Sequence, residues 1–153
     1  MITIEPVPVD DEELAKLRQE LRADISARYP DVGADSDEHL TDDIRFLLMR
    51  ENGTPIGCCA LQPNRASGLE GLELKRMYVV PTSRGTTAAG RLLAAAEALA
   101  RRLGAPRIYL ETGTGQPEAI RFYERSGYTT IPLYPPYIGS PLSVSYEKAF
   151  EAG

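Results

Sequence analysis

Tryptophan is absent from the 153 residues, histidine occurs once, at His39, and cysteine twice, at Cys58 and Cys59. A structural metal centre needs about four Cys, His or carboxylate ligands at set spacings. Two adjacent cysteines and one distant histidine do not supply them, so no metal is expected. Both cysteines lie in an apolar run and read as buried structural thiols. No apolar run approaches the ~20 residues of a bilayer span. The N-terminal MITIEPVPVDDEEL has neither the basic region nor the apolar stretch of a secretory leader, so the expected location is cytoplasmic, away from membranes. Positive charge is scarce too: 17 Lys and Arg against 22 Asp and Glu leave a net charge of −5. Without a basic stripe interleaved with aromatics, nucleic acid is not an expected partner. No Gly-Lys-Ser/Thr closes a nucleotide phosphate loop, and no Gly-x-Gly-x-x-Gly opens a dinucleotide fold.

What is present describes an ordinary globular domain over residues 1–153, 42% hydrophobic and 25% charged. Residues 2–9 alternate as a strand, which Pro6 and Pro8 assign to a sheet edge. Asp10 or Asp11 caps a helix whose Leu14, Leu17, Leu21 and Ile25 share a face, and Pro30 stops it. An acidic segment follows, holding Asp31, Asp35, Asp37, Glu38, Asp42 and Asp43. It is either a solvated loop or, as the family resemblance described below implies, an electronegative lip for a cationic acceptor. RFLLMR (45–50) and PIGCCAL (55–61) form a hairpin about the Asn52-Gly53 turn. The next strand, residues 69–80, carries a fault of parity. Leu72 and Leu74 share one phase and Met77 and Val79 the other, so a strand with one buried face needs an extra residue near Lys75–Arg76, a β-bulge. A strand buried on both faces is the alternative.

That strand ends at Pro81, and Arg84-Gly85-Thr86-Thr87-Ala88-Ala89-Gly90 leads into the helix RLLAAAEALARRL. A helix start offers N–H groups without partners and partial positive charge. The small residues from Thr86 to Gly90 let a diphosphate approach those amides, and Arg84 adds a cation. The helix is expected to bury Leu92, Ala96, Leu99 and Leu103 and to stop at Gly104. RIYLET (107–112) is a further strand, so strand, helix and strand form a parallel crossover. Pro117 begins another helix, which Gly127 ends. Residues 128–131 and 142–148 are closing strands, joined by a proline-rich connection. Its Tyr134 and Tyr137 either wall a pocket or pack the loop down.

The loop resembles the acyl-CoA pyrophosphate loop of the GNAT N-acetyltransferase superfamily, Gln/Arg-x-x-Gly-x-Gly/Ala, with Arg84 and Ala89 at the matching ends. Thr87 stands where that family has glycine, and its Cβ narrows the approach to the phosphates. Met77-Tyr78-Val79 before the loop also matches. So does Gln116-Pro117-Glu118-Ala119-Ile120-Arg121-Phe122-Tyr123, continuing to Gly127-Tyr128, against Asn-x-x-Ala-x-x-x-Tyr-x-x-x-Gly-Phe/Tyr. The resemblance covers at least residues 72–128. It implies an α/β (α+β) fold: a mixed, mostly antiparallel sheet of six to seven strands, helices on both faces, and a splayed parallel pair at the acyl-CoA site. A homodimer is compatible with it.

The resemblance further implies transfer of an acetyl group from acetyl-CoA to a primary amine of a small molecule or peptide. The cofactor contacts would come from Met77, Tyr78, Val79, residues 84–90 (Arg84, Gly85, Thr86, Thr87, Ala88, Ala89, Gly90), Gln116 and Tyr123. Tyr123 is the hydroxyl that would protonate the leaving CoA thiolate. Glu73 and Glu111 both occupy positions where members of the family place a base, and either could take the amine proton. A splayed-strand N–H, that of Val79, could stabilise the oxyanion. The other reading is a non-catalytic acyl-CoA-binding sensor or structural module on the same fold.

Overall fold

A computed structural model describes residues 1–30 and 40–151. Strands β1 (Ile2–Val7), β2 (Arg45–Glu51), β3 (Thr54–Gln62), β4 (Leu72–Val79), β5 (Arg107–Gly113), β6 (Thr129–Ile131) and β7 (Ser143–Ala149) make one seven-stranded sheet. Its order is β1-β2-β3-β4-β5-β7-β6, and every neighbouring pair is antiparallel except β4–β5. The strand bearing Pro6 is indeed an edge, where a missing N–H leaves no ladder bond unmade.

Helix α1 (Glu12–Arg28) begins at Asp11, whose carboxylate accepts from the Leu14 N–H at 2.9 Å. Its Leu14 and Leu17 pack with Phe46, Leu48, Cys58, Ala60 and Tyr78 on one sheet face. Helices α2 (Ala88–Arg102) and α3 (Pro117–Arg125) cover the other face. There Leu92, Leu93, Ala96, Leu99 and Tyr123 meet Leu47, Cys59, Leu61, Leu74, Val79 and Leu110. Cys58 and Cys59 therefore point into opposite cores, and burial pushes the Cys58 thiol up to about 12 and Cys59 further. Both stay protonated and inert at neutral pH. Leu103 departs from the helical expectation: it is the C-cap of α2 and is exposed, because the chain leaves the helix there toward Gly104. Among the described residues no helix is long and apolar enough to cross a membrane.

The parity fault in β4 is a bulge. Cys58 pairs with Tyr78 but Ala60 pairs with Lys75, so β4 spends one residue more than β3 over this stretch. Arg76 absorbs the excess at φ 56°, a left-handed conformation uncommon for a residue with a Cβ. The bulge keeps Leu74 and Val79 in the α2–α3 core and Tyr78 in the α1 core. It also bends β4 away from β5. The two strands pair only at Leu72–Ile108 and Glu73–Tyr109, and beyond that point they part.

Candidate active site

The parting of β4 and β5 opens a cleft of about 1410 Å³ through the middle of the sheet. Backbone alternation aims part of β4 into it. The Val80 N–H bonds to the Ile56 carbonyl at 2.9 Å, and bonds to one neighbour recur at every second residue of an antiparallel strand. The Val79 N–H and carbonyl thus face away from β3, toward the gap. Arg84 Nε donates to that carbonyl at 2.9 Å, and its guanidinium lies 5.5 Å from the centre of the Tyr78 ring. The cation at the cleft mouth is consequently held at the end of β4.

Gly85 follows at φ 76°, and a Cβ built on it would meet nothing within 4 Å. It is needed for its left-handed backbone and leaves open space beside the loop. Thr86 Oγ1 donates to the Ser83 carbonyl at 2.6 Å and accepts from the Ala88 N–H at 3.2 Å, capping the first turn of α2. Thr87 is the formal N-cap and is exposed. The residues from Ser83 to Thr87 line the cleft together with Ala89, Gly90 and Arg91, and Arg121 and Arg125 of α3 add positive charge on that wall.

On α3, Tyr123 is only 6% exposed yet lies on the cleft wall. Burial raises its hydroxyl pKa, so the group keeps its proton well into alkaline conditions. Gln116, the N-cap of the same helix, also lines the cleft, with its side chain not spent on capping.

The two carboxylates differ. Glu111, on β5, is on the cleft wall and accepts a hydrogen bond from Ser143 Oγ at 2.7 Å. Glu73 is 2% exposed and not part of that wall. It accepts from the Tyr134 hydroxyl at 2.7 Å and lies 3.8 Å from Lys75 Nζ. Burial, then the Glu73 charge, raises the Tyr134 pKa and holds that hydroxyl as a donor. Of the two connection tyrosines, Tyr134 packs inward, edge-on to Tyr109, while Tyr137 lines the cleft.

The far end of α1 reaches the same place. Tyr29 Oη accepts from the Gly115 N–H at 3.0 Å. Arg28 donates to the Gly115 carbonyl at 3.1 Å and pairs with Asp24 and Glu118. A Cβ on Gly113 would fall 1.9 Å from the Tyr29 hydroxyl, so the ring occupies the space that a side chain there would take. Sequence reasoning misses Arg28, Tyr29 and Ser143, whose contacts at the cleft, Gly115 for the first two and Glu111 for the third, lie 32 to 87 residues away. Nothing marks Ser143 in the sequence: it falls in the polar phase of a strand that alternates Leu142, Val144 and Tyr146 with Ser143, Ser145 and Glu147. Of the acidic segment, residues 31–39 lie outside the described residues. Asp42 and Asp43 are not on the cleft wall, and Asp43 is tied to Thr41 and Arg65.

Residues 14–128 match the Acetyltransferase (GNAT) family. A protein of Azospirillum brasilense described as an IAA acetyltransferase is 37% identical over 142 residues, 88% of this chain and 89% of its own. A solved acyl-CoA N-acyltransferase structure from Klebsiella pneumoniae superposes with a TM-score of 0.78 at 33% identity, covering 97% of each chain. The PaiA N-acetyltransferase of Thermoplasma acidophilum, solved in complex with coenzyme A, has the same fold, with a TM-score of 0.74 at 20% identity over 98% of this chain and 99% of that one.

Proposed function

The chain belongs to the GNAT family of acetyl-CoA-dependent N-acetyltransferases, and on that premise we propose that it acetylates a primary amine with Glu111 as base and Tyr123 as acid. One observation carries this reading. The single cleft left by the parting of β4 and β5 is walled at once by the Arg84–Thr87 loop, by Tyr123 and by Glu111. A diphosphate against the start of α2 is favoured by free N–H groups and by Arg84. The pantetheine arm then runs along the open edge of β4, where its amides satisfy backbone groups that β5 has left. Met77, Tyr78 and Gln116 flank that path.

Glu111 takes the ammonium proton of the acceptor, and the freed nitrogen lone pair attacks the thioester carbonyl. The oxyanion of the tetrahedral intermediate accepts from the Val79 N–H. Collapse re-forms the carbonyl, the C–S bond electrons leave with sulfur, and Tyr123 gives the thiolate its proton. In water a thiol near 8.5 and a phenol near 10 make that transfer slightly uphill. Burial raises the Tyr123 hydroxyl further, so the proton moves as the thiolate forms during collapse of the intermediate and not before. Glu73, locked beneath Tyr134 and beside Lys75, holds the connection of residues 132–141 against β4.

The test is thiol release from acetyl-CoA across amines, amino acids and peptides, followed spectrophotometrically. Amine-dependent release is expected. Tight acetyl-CoA binding with no release for any acceptor would favour a non-catalytic acyl-CoA-binding module.

A further inference from the structure

Lys75 is a buried cation whose hydrogen-bonding capacity is mostly unspent. Its side chain is 6% exposed, yet it is on the cleft wall. Its ammonium donates to the Tyr137 hydroxyl at 3.2 Å. Glu73 Oε1, at 3.8 Å, is outside hydrogen-bond reach, and Glu73 Oε2 is taken by Tyr134. An ammonium carries three donors, so among the described residues two remain without an acceptor. Those two donors are available to a group in the cleft that Lys75 lines. Glu73 offsets the charge of Lys75 without satisfying its N–H groups.

The register says what lies opposite. Glu73 pairs with Tyr109 across the parallel strands, so two residues on, past the point of parting, Lys75 stands across the gap from Glu111. Both belong to the α1 face of the sheet: Lys75 pairs with Ala60 of that core, while Ile108 and Leu110 flank the β5 positions on the other face. A cation and a carboxylate thus face each other over the cleft, each held by partners on its own side, Tyr137 for Lys75 and Ser143 for Glu111.

We propose that the acceptor is an amine that also carries an oxyanion, a carboxylate or phosphonate, taken by the Lys75 ammonium while the amine turns to Glu111. This rests on the acetyl-transfer reading above and deepens it to a substrate class. It runs against the cationic acceptor that the acidic segment suggests.

The experiment compares kcat/KM for each common amino acid, its carboxamide, the amine lacking the carboxyl group, and an aminoalkylphosphonate. A charge-assisted hydrogen bond in a buried site predicts a preference of roughly 10–100-fold for the acid over the carboxamide. Preference for the phosphonate over the carboxylate would assign that oxyanion. In the paired variant Glu73→Gln/Lys75→Met, which removes the buried charges together, the acid-to-carboxamide ratio should fall to about one while acetyl-CoA binding persists. A ratio near one in the unaltered protein, or a ratio kept by the variant, overturns the proposal. Calorimetric binding of N-acetylated amino acids and of their carboxamides to the CoA-loaded protein measures the same preference without turnover. If no amine releases thiol, the acetyl-transfer reading falls, and this binding preference still decides the matter for Lys75. Equal binding of acid and carboxamide overturns it.

Discussion

In the proposed mechanism one atom of Tyr123, its hydroxyl oxygen, carries the acid step. Its ring is part of the α2–α3 core, packed at 5.3 Å from Phe122 and 5.7 Å from Tyr128 between ring centres, while its residue lines the cleft. Tyr123→Phe keeps the packing and removes the proton, so the fold and acetyl-CoA affinity should be retained. Turnover should fall by ~10²–10⁴-fold, the usual contribution of a positioned acid. Because burial raises this hydroxyl, ionisation of Tyr123 should not limit the rate of the unaltered enzyme until well above pH 10. A folded Tyr123→Phe protein with full activity would show that another group protonates the thiolate. The carboxylates separate in the same assay. Glu111→Gln should lower kcat at neutral pH, and the deficit should shrink as rising pH deprotonates the amine without help. Glu73→Gln exchanges a buried carboxylate for an amide beneath Tyr134, and its main effect should be on stability. A pH-dependent loss confined to Glu73→Gln would move the base to that residue.

At the scale of elements, the site depends on two departures from regularity. The Arg76 bulge bends β4 off β5 and makes the cleft. The end of α1 is then fixed across the β5–α3 turn by Tyr29 over Gly113 and Gly115. Gly113→Ala would drive a Cβ into the Tyr29 hydroxyl, and overpacking of this kind typically costs ~1–3 kcal/mol. The same substitution in a Tyr29→Ala background should cost much less, a coupling on the order of 1 kcal/mol in a double-mutant cycle read by denaturant unfolding. Equal costs in both backgrounds would mean that the Tyr29 ring moves aside freely.

For the molecule as a whole, a cofactor that bridges β4, α2 and α3 should resist their separation. Acetyl-CoA at one hundred times its dissociation constant adds about 2.7 kcal/mol. That is a rise of roughly 5–11 °C in Tm for a chain of this length. ATP offers phosphates and a nucleotide but no pantetheine, so it should raise Tm far less. An equal shift from ATP would mean that the loop binds phosphate without using the open edge of β4.

The features legible in the sequence are local. Proline confines β1 to an edge because a missing N–H needs no partner there. Asp11 caps α1 through its own chain neighbours, and the two phases of Leu72–Leu74 and Met77–Val79 betray a bulge because side-chain direction alternates strictly along a strand. The order of Arg84–Ala89 and Gln116–Tyr128 is legible for the same reason, since each is a loop and the helix it opens, and both segments reach the cleft wall. What tertiary structure alone decides is which of these reach one another. Glu73 and Glu111 are equivalent candidates in sequence, and only the β4–β5 register and the connection carrying Tyr134 bury the first and leave the second on the cleft. The net charge of −5 says nothing of a cleft with Lys75 and several arginines on its walls. Composition sums over the surface, whereas a binding site depends on which few charges the packing of distant segments gathers in one place.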